Sequence, residues 1–236
     1  MPLTVAEEVS ESGPDSNNFV SRTLTFASPA AIGDRVVVLV ELYTSSGVQA
    51  TAGMISDDGG HTWTQAVGIT GDGSTGGLSI LSVTATAAIN SVTLTPGGSG
   101  NYATWGIARL SGAADVDDFD TGSGSSTAPR PADMTATTTD GVALSIISTR
   151  SQSGDQTPPS GWTAMELEPN NSVNLAGAIA HSPNIASAGT VTVIWASTTS
   201  GQWFAAGVLF KAAGGGGGGA AFIPPPRVIR RILRRQ

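Results

Sequence analysis

The 236-residue chain contains no cysteine. That absence excludes a disulfide framework, a thiolate metal site and a cysteine nucleophile, so stability has to come from packing and strand pairing. Histidine is nearly as scarce. His61 and His181 stand far apart without an HxH or HxxxH partner, which leaves a zinc site or a Ser-His-Asp triad without its ligands, and no G-x-S-x-G elbow occurs. No run of eighteen apolar residues exists, so no membrane-spanning helix is expected. The opening MPLTVAEEVSESGPDSNNF is acidic and polar and lacks an apolar stretch of signal-peptide type, so neither a signal peptide nor an anchor is expected there. The six consecutive glycines at 214–219 are not followed by Lys-Ser/Thr and do not join a strand to a helix, which argues against a phosphate cradle.

What is present points to strands. Charged residues make up only 12%, glycine accounts for 31 positions, and Thr, Ser, Ala and Val fill the space between. This is the profile of many short strands joined by tight turns. RVVVLVEL, from Arg35 to Leu42, is apolar on both faces, as a strand covered on both sides would be. Further strands are expected near Ala50–Ile55, through Trp63, and from Leu78 to Ala85.

The pattern then returns. VTLTPGGSGNYATWGIARLSG, beginning at Val92, is matched by VTVIWASTTSGQWFAAGVLFK, beginning at Val191, and both read as β-hairpins. Trp63-Thr64 and Trp162-Thr163 are separated by the same interval that separates Val92 from Val191. Asp140-Gly141 stands where Gly33-Asp34 stood. The expectation is an all-β chain, an antiparallel, jelly-roll-like β-sandwich built from two sequence-related halves, 22–112 and 131–211, which interleave as one sandwich rather than forming two. Residues 1–21 are read as an N-terminal arm, either loose or an extended strand lead-in, that needs a partner to become ordered, and the Asp/Gly/Ser-rich stretch 111–130 as a connection.

Charge divides the chain sharply. Residues 1–211 hold all 18 acids and six of the 11 bases, a net charge of −12, whereas 212–236 hold five arginines and no acid. Residues 212–221 read as a flexible glycine-rich linker. In the docking arm 222–236, Phe222, Ile223, Val228, Ile229, Ile232 and Leu233 supply apolar groups. Pro224, Pro225 and Pro226 favour an extended rod, and Arg227, Arg230, Arg231, Arg234 and Arg235 supply positive charge. Five arginines without interleaved aromatics or a basic body are a poor nucleic-acid signature, so no specific nucleic acid is expected. A docking site on a neighbouring subunit fits the segment better.

Ser56-Asp57-Asp58-Gly59-Gly60-His61-Thr62-Trp63 fits S-x-D-x-G-x-T-W and resembles the Asp-box turn of sialidase-like propellers. Ser56, Asp58, Gly60 and Trp63 are read as a structural turn, with the carboxylate accepting backbone N–H groups, the glycine supplying positive φ and the Trp packing beneath. Asp115, Asp117, Asp118 and Asp120 bring four carboxylates together but lack EF-hand spacing, so a solvated loop is preferred to a calcium site. Tyr102, Trp105 and Trp203 are the candidates for stacking a sugar ring, against the alternative that they fill the core at corresponding places in the two halves. No catalytic residue, metal or cofactor is assigned. A glycan-binding module or adhesin needs those aromatics exposed and coplanar, and a glycan depolymerase needs two carboxylates facing each other about 5–9.5 Å apart.

GDRVVVLVEL, DDGGHTWTQA, ATWGIARLSG, SGWTA and WFAAGVLFK together resemble β-sandwich accessory proteins of tailed-phage virions, over residues 22–211. That resemblance implies a non-enzymatic subunit at the virion surface, assembled in the bacterial host cytoplasm, of capsid decoration or minor tail type. Its partners would be major capsid or tail subunits and further copies of itself; a host-surface glycan is the ligand of the alternative, glycan-binding reading.

Overall fold

The computed structural model describes residues 3–11, 19–44, 48–71, 76–97, 101–111, 113–131, 133–150, 156–167 and 176–212. Within them the chain is all-β and every strand pairing is antiparallel. The first half comprises β1 (Thr4–Glu11), β2 (Arg22–Ala30), β3 (Arg35–Tyr43), β4 (Ile55–Asp57), β5 (Thr64–Ile69), β6 (Gly77–Thr84), β7 (Ile89–Leu94) and β8 (Tyr102–Ser111). The second comprises β9 (Ala113–Ser126), β10 (Met134–Ala136), β11 (Val142–Arg150), β12 (Gln156–Thr157), β13 (Thr163–Leu167), β14 (Ala176–His181), β15 (Gly189–Val191), β16 (Ala196–Ser197) and β17 (Gly201–Ala212).

One strand order serves both halves. The first half forms a five-stranded sheet, β1-β8-β3-β6-β5, and a three-stranded sheet, β2-β7-β4. The second forms β9-β17-β11-β14-β13, and its smaller layer is two pairs, β10-β15 and β12-β16, because the strand corresponding to β7 is broken in two. This winding is that of a jelly roll, except that the fifth strand hairpins back beside the sixth instead of joining the smaller sheet.

The halves do not interleave, since every strand pairs within its own half. Each makes its own sandwich, and the two large sheets stack face to face to give four layers. Alternation along the central strands accounts for this. On β3, Val36, Val38, Val40 and Leu42 enter the core under the three-stranded sheet with Leu24, Phe26, Trp63 and Trp105. Val37 and Leu39 point the other way, into a core shared with Leu144, Ile146, Phe204, Val208 and Phe210 of the second half. Ala143 and Ile147 then turn outward to meet Met134, Val193 and Trp195 in a third core. A strand apolar on both faces is what a doubly covered sheet requires, so the reading of Arg35–Leu42 agrees with its position at the centre.

Four other expectations change. The stretches starting at Val92 and Val191 are not hairpins: β7 pairs with β2 and β4 while β8 pairs with β1 and β3, and β15 pairs with β10 while β17 pairs with β11 and β9. The two strands of each stretch thus belong to different layers. A 3-10 turn, Ala52–Met54, occupies half of the stretch expected as a strand over Ala50–Ile55, and β4 begins only at Ile55. The N-terminal arm contains β1, whose partner is β8 of the same chain. The connection 111–130 contains the longest strand, β9, paired along β17. Its glycines mark close approaches rather than looseness: a Cβ on Gly122 would lie 2.2 Å from the Arg130 carbonyl oxygen, and one on Gly124 2.8 Å from the Trp203 ring.

Candidate functional site

The turn leading to Trp63 is built around two carboxylates with different tasks. Asp57 Oδ1 accepts from the backbone N–H of Gly59 at 2.8 Å and of His61 at 3.4 Å and from His61 Nδ1 at 2.7 Å, while Oδ2 accepts from Trp63 Nε1 at 2.8 Å. Asp58 reaches across to β7 instead, where Oδ1 accepts from the N–H of Asn90 at 2.9 Å and of Ser91 at 3.2 Å, and Oδ2 from Asn90 Nδ2 at 2.7 Å. The assignment made from the S-x-D-x-G pattern is therefore corrected: Asp57 closes the turn, and Asp58 ties it to the neighbouring strand. Gly60 has the positive φ, +72°, and Trp63 is buried. His61 Nε2 accepts from the N–H groups of Thr86 (3.0 Å) and Ala87 (3.2 Å), so the ring proton belongs on Nδ1, facing Asp57. Burial would raise the pKa of Asp57, but the bonds from His61, Trp63 and the backbone outweigh it and hold the carboxyl below the ordinary aspartate value. With its polar atoms engaged inside the turn, this cluster has the character of a staple.

The acidic run on β9 is likewise divided among separate partners. Asp115 pairs with Arg35 at 3.2 Å. Asp117 accepts from the Thr137 backbone N–H at 2.6 Å and from its hydroxyl, and lies 3.5 Å from Lys211 Nζ. Asp118 Oδ2 accepts from the Thr135 N–H at 2.6 Å. The N–H groups of Phe119 and Thr121 donate to Asp118 Oδ1 at 2.9 Å and Asp120 Oδ1 at 2.7 Å. These carboxylates bind β10 to β9 and occupy N–H groups along an edge strand. Among the described residues no cluster of three or more His, Cys, Asp or Glu is placed to hold a metal ion.

The aromatic candidates lie inward. Trp105 is 1% exposed and Trp203 8%, so neither offers a ring face to a sugar. Tyr102, half-buried, is edge-on to Tyr43 with ring centroids 5.8 Å apart. Reading the three as a glycan platform is thereby corrected: two of them fill the cores of the two sandwiches, and Trp203 is fixed by an Nε1 bond to Ser126 Oγ at 3.0 Å.

Comparison with protein-family models, curated proteins and solved structures gave no match. No described helix is long and apolar enough to cross a membrane.

The segment expected to dock, Phe222 to Arg235, lies outside the described residues, but the strand end that precedes it is defined. β17 ends at Ala212, opposite Ala113 of β9. Lys211 is held beside Asp117, and the chain departs next to the acidic strand. Two features were not singled out from the sequence. Glu41 is 2% exposed in the central core, where its Oε1 accepts from Ser148 Oγ at 2.5 Å across the boundary between the halves. Its signal was visible as the one acidic residue of that strand, interrupting the otherwise apolar run from Val36 to Leu42. His181 Nε2 lies 3.0 Å from Glu8 Oε2, joining β14 of one sandwich to β1 of the other. Nothing in the sequence spacing of these two residues connects them.

Proposed function

We propose that the chain is a non-enzymatic structural subunit of a tailed-bacteriophage virion, a surface-displayed accessory protein of capsid decoration or minor tail type, anchored to neighbouring subunits through residues 222–236. The observation that carries this reading is the division of the chain into a four-layer, acidic β body and a basic, apolar segment joined to it by a glycine-rich stretch at the end of β17. Such a body offers a preformed knob. The segment combines apolar groups with arginines, a composition suited to grooves rimmed by acid on a partner. The engagement of Asp57, Asp58, Asp117 and Asp118 in a turn and along an edge, and of Trp105 and Trp203 in the cores, supports a structural reading.

Removing residues 213–236 tests this reading. The truncated body should keep its far-ultraviolet circular dichroism yet fail to co-sediment with particles lacking the protein, while the full chain binds them. Equal binding by both forms would refute the anchoring role, and binding of neither to any virion component would refute the virion assignment.

A further inference from the structure

The central core opens at its flanks along two seams. Under the strand correspondence of the halves, the seam where β1 lies over β13 is the counterpart of the one where β9 lies over β5. The first is closed by Ser10 Oγ donating to the Met165 carbonyl at 2.7 Å and by the Glu8–His181 pair. The second is a groove of about 450 Å³ lined by Gln65, Val67, Phe119, Asp120 and Thr121. Phe119, 52% exposed, stands at its mouth.

We infer that this groove between β5 and β9 is the seat of the chain's own C-terminal segment, residues 222–236. Tether length supports it first. The chain leaves β17 opposite Ala113, on the strand that carries Phe119. From Ala113 to Phe119 along an extended strand is about 20 Å. The nine residues 213–221 span about 15–18 Å on average and about 30 Å at full stretch, so Phe222 reaches the groove from its own root. A tether of this length presents the segment at an effective concentration of about millimolar, ahead of any second copy at ordinary protein concentration.

Chemistry supports it next. The body carries a net charge of −12, and Asp115, with its side chain 87% exposed, and Asp120 lie on the strand that lines the groove. The segment brings five arginines, preceded by Phe222 and Ile223, which match the apolar ring of Phe119 and the flank of Val67. The mode of docking follows from β9. The N–H groups of Phe119 and Thr121 already donate to Asp118 and Asp120, so side chains entering the groove, rather than an added strand, make the contact. Three prolines, which have no N–H to offer a sheet, suit that mode. The inference concerns the free subunit and stands apart from the virion reading; if both hold, a neighbour must displace the segment from its seat.

The absence of cysteine makes a clean test available. The full chain carrying Thr121→Cys and Ile223→Cys is oxidised at low concentration beside a control carrying Ser187→Cys and Ile223→Cys. Ser187 is exposed and follows Ile185, which bonds Gly141 close to the end of β17, within the same tether's range. An intramolecular disulfide should form about tenfold faster at 121 than at 187, and adding Phe119→Ala should remove most of that advantage. Equal rates at the two positions, or indifference to Phe119→Ala, overturns the inference. Disulfide-linked dimers in place of linked monomers overturn the own-chain seat and assign the groove to the segment of a second copy. Particle binding plays no part in these readouts, so their failure is distinct from failure of the virion proposal.

Discussion

Two buried tryptophans differ in a single respect that has an energetic consequence. Trp195 Nε1 donates to Ser145 Oγ at 3.0 Å, whereas Trp105 Nε1 is buried without a hydrogen-bond partner among the described residues. Trp195→Phe removes a buried bond as well as volume and should cost about 1–3 kcal/mol. Trp105→Phe removes an unsatisfied donor along with similar volume and should cost less than about 1 kcal/mol. Urea unfolding followed by circular dichroism measures both, and equal losses would refute the distinction. At the same scale, Asp57 titrates below its unfolded value despite burial. Its contribution is therefore present above the unfolded aspartate pKa and is lost as pH falls through the folded one. Asp57→Asn should flatten the acid limb of the stability curve, and an unchanged slope below about pH 4 would count against the turn as its source. That a turn exists here was legible from Ser56 to Trp63. Which of two adjacent aspartates closes it was not, because the choice depends on where β7 passes, and that is set by the sheet rather than by the local sequence.

β1 shows how an element can lie beyond local pattern. Its acids and modest apolar content read as a loose arm or, at most, a strand lead-in, yet Leu3 is fully buried in the central core, and Glu7 accepts from the Ser28 N–H at 3.2 Å. The strand exists because β8 offers an edge and the second sandwich offers a floor. Its clasp is His181: Nδ1 faces the Ser182 carbonyl oxygen at 3.0 Å and Nε2 faces Glu8. A neutral ring with its proton on Nδ1 would set two acceptors against each other, and the protonated ring removes the conflict. Burial alone would lower this pKa, but Glu8 and the Ser182 carbonyl outweigh it and hold it above the ordinary histidine value. The stabilisation is thus complete below the unfolded pKa of about 6.5 and is lost as pH rises through the raised folded value. Amide exchange of β1 should accelerate over that window in the native chain and change far less in Glu8→Gln; parallel profiles would exclude the clasp. β9 went unread for a related reason. Gly and Asp are poor strand formers on average, but here the glycines admit Arg130 and Trp203, and the aspartates occupy N–H groups of an edge that would otherwise be open to pairing.

At the scale of the whole molecule, the central core makes the two sandwiches one unit. Leu39, Ile80 and Leu110 of the first half pack with Leu144, Val208 and Phe210 of the second. Leu144→Ala should cost about 2–5 kcal/mol and should lower amide protection in β3 as well as in β11. Loss confined to the second half would mean that the halves unfold independently. The all-β class and the doubly covered central strands could be read from periodicity, whereas the stacking could not. A strand that is apolar on both faces tells that it is covered, not whether the cover is its own half or the other.

The Leu3 N–H donates to the Asp140 carbonyl, and Gly141 lies against the carbonyl of Phe210. The first and last strands of the body thus leave it at a common pole. Circular permutation follows as a structural possibility: a short peptide could join residue 212 to residue 3, and new ends could be opened at the exposed Ile32-Gly33 turn without parting the two sandwiches. The same closeness sets the path of force. A pull applied between the two flanks would load the contacts around Asp140 and Gly141 first, while the far pole, carried at the end of both sandwiches, would bear almost none of it.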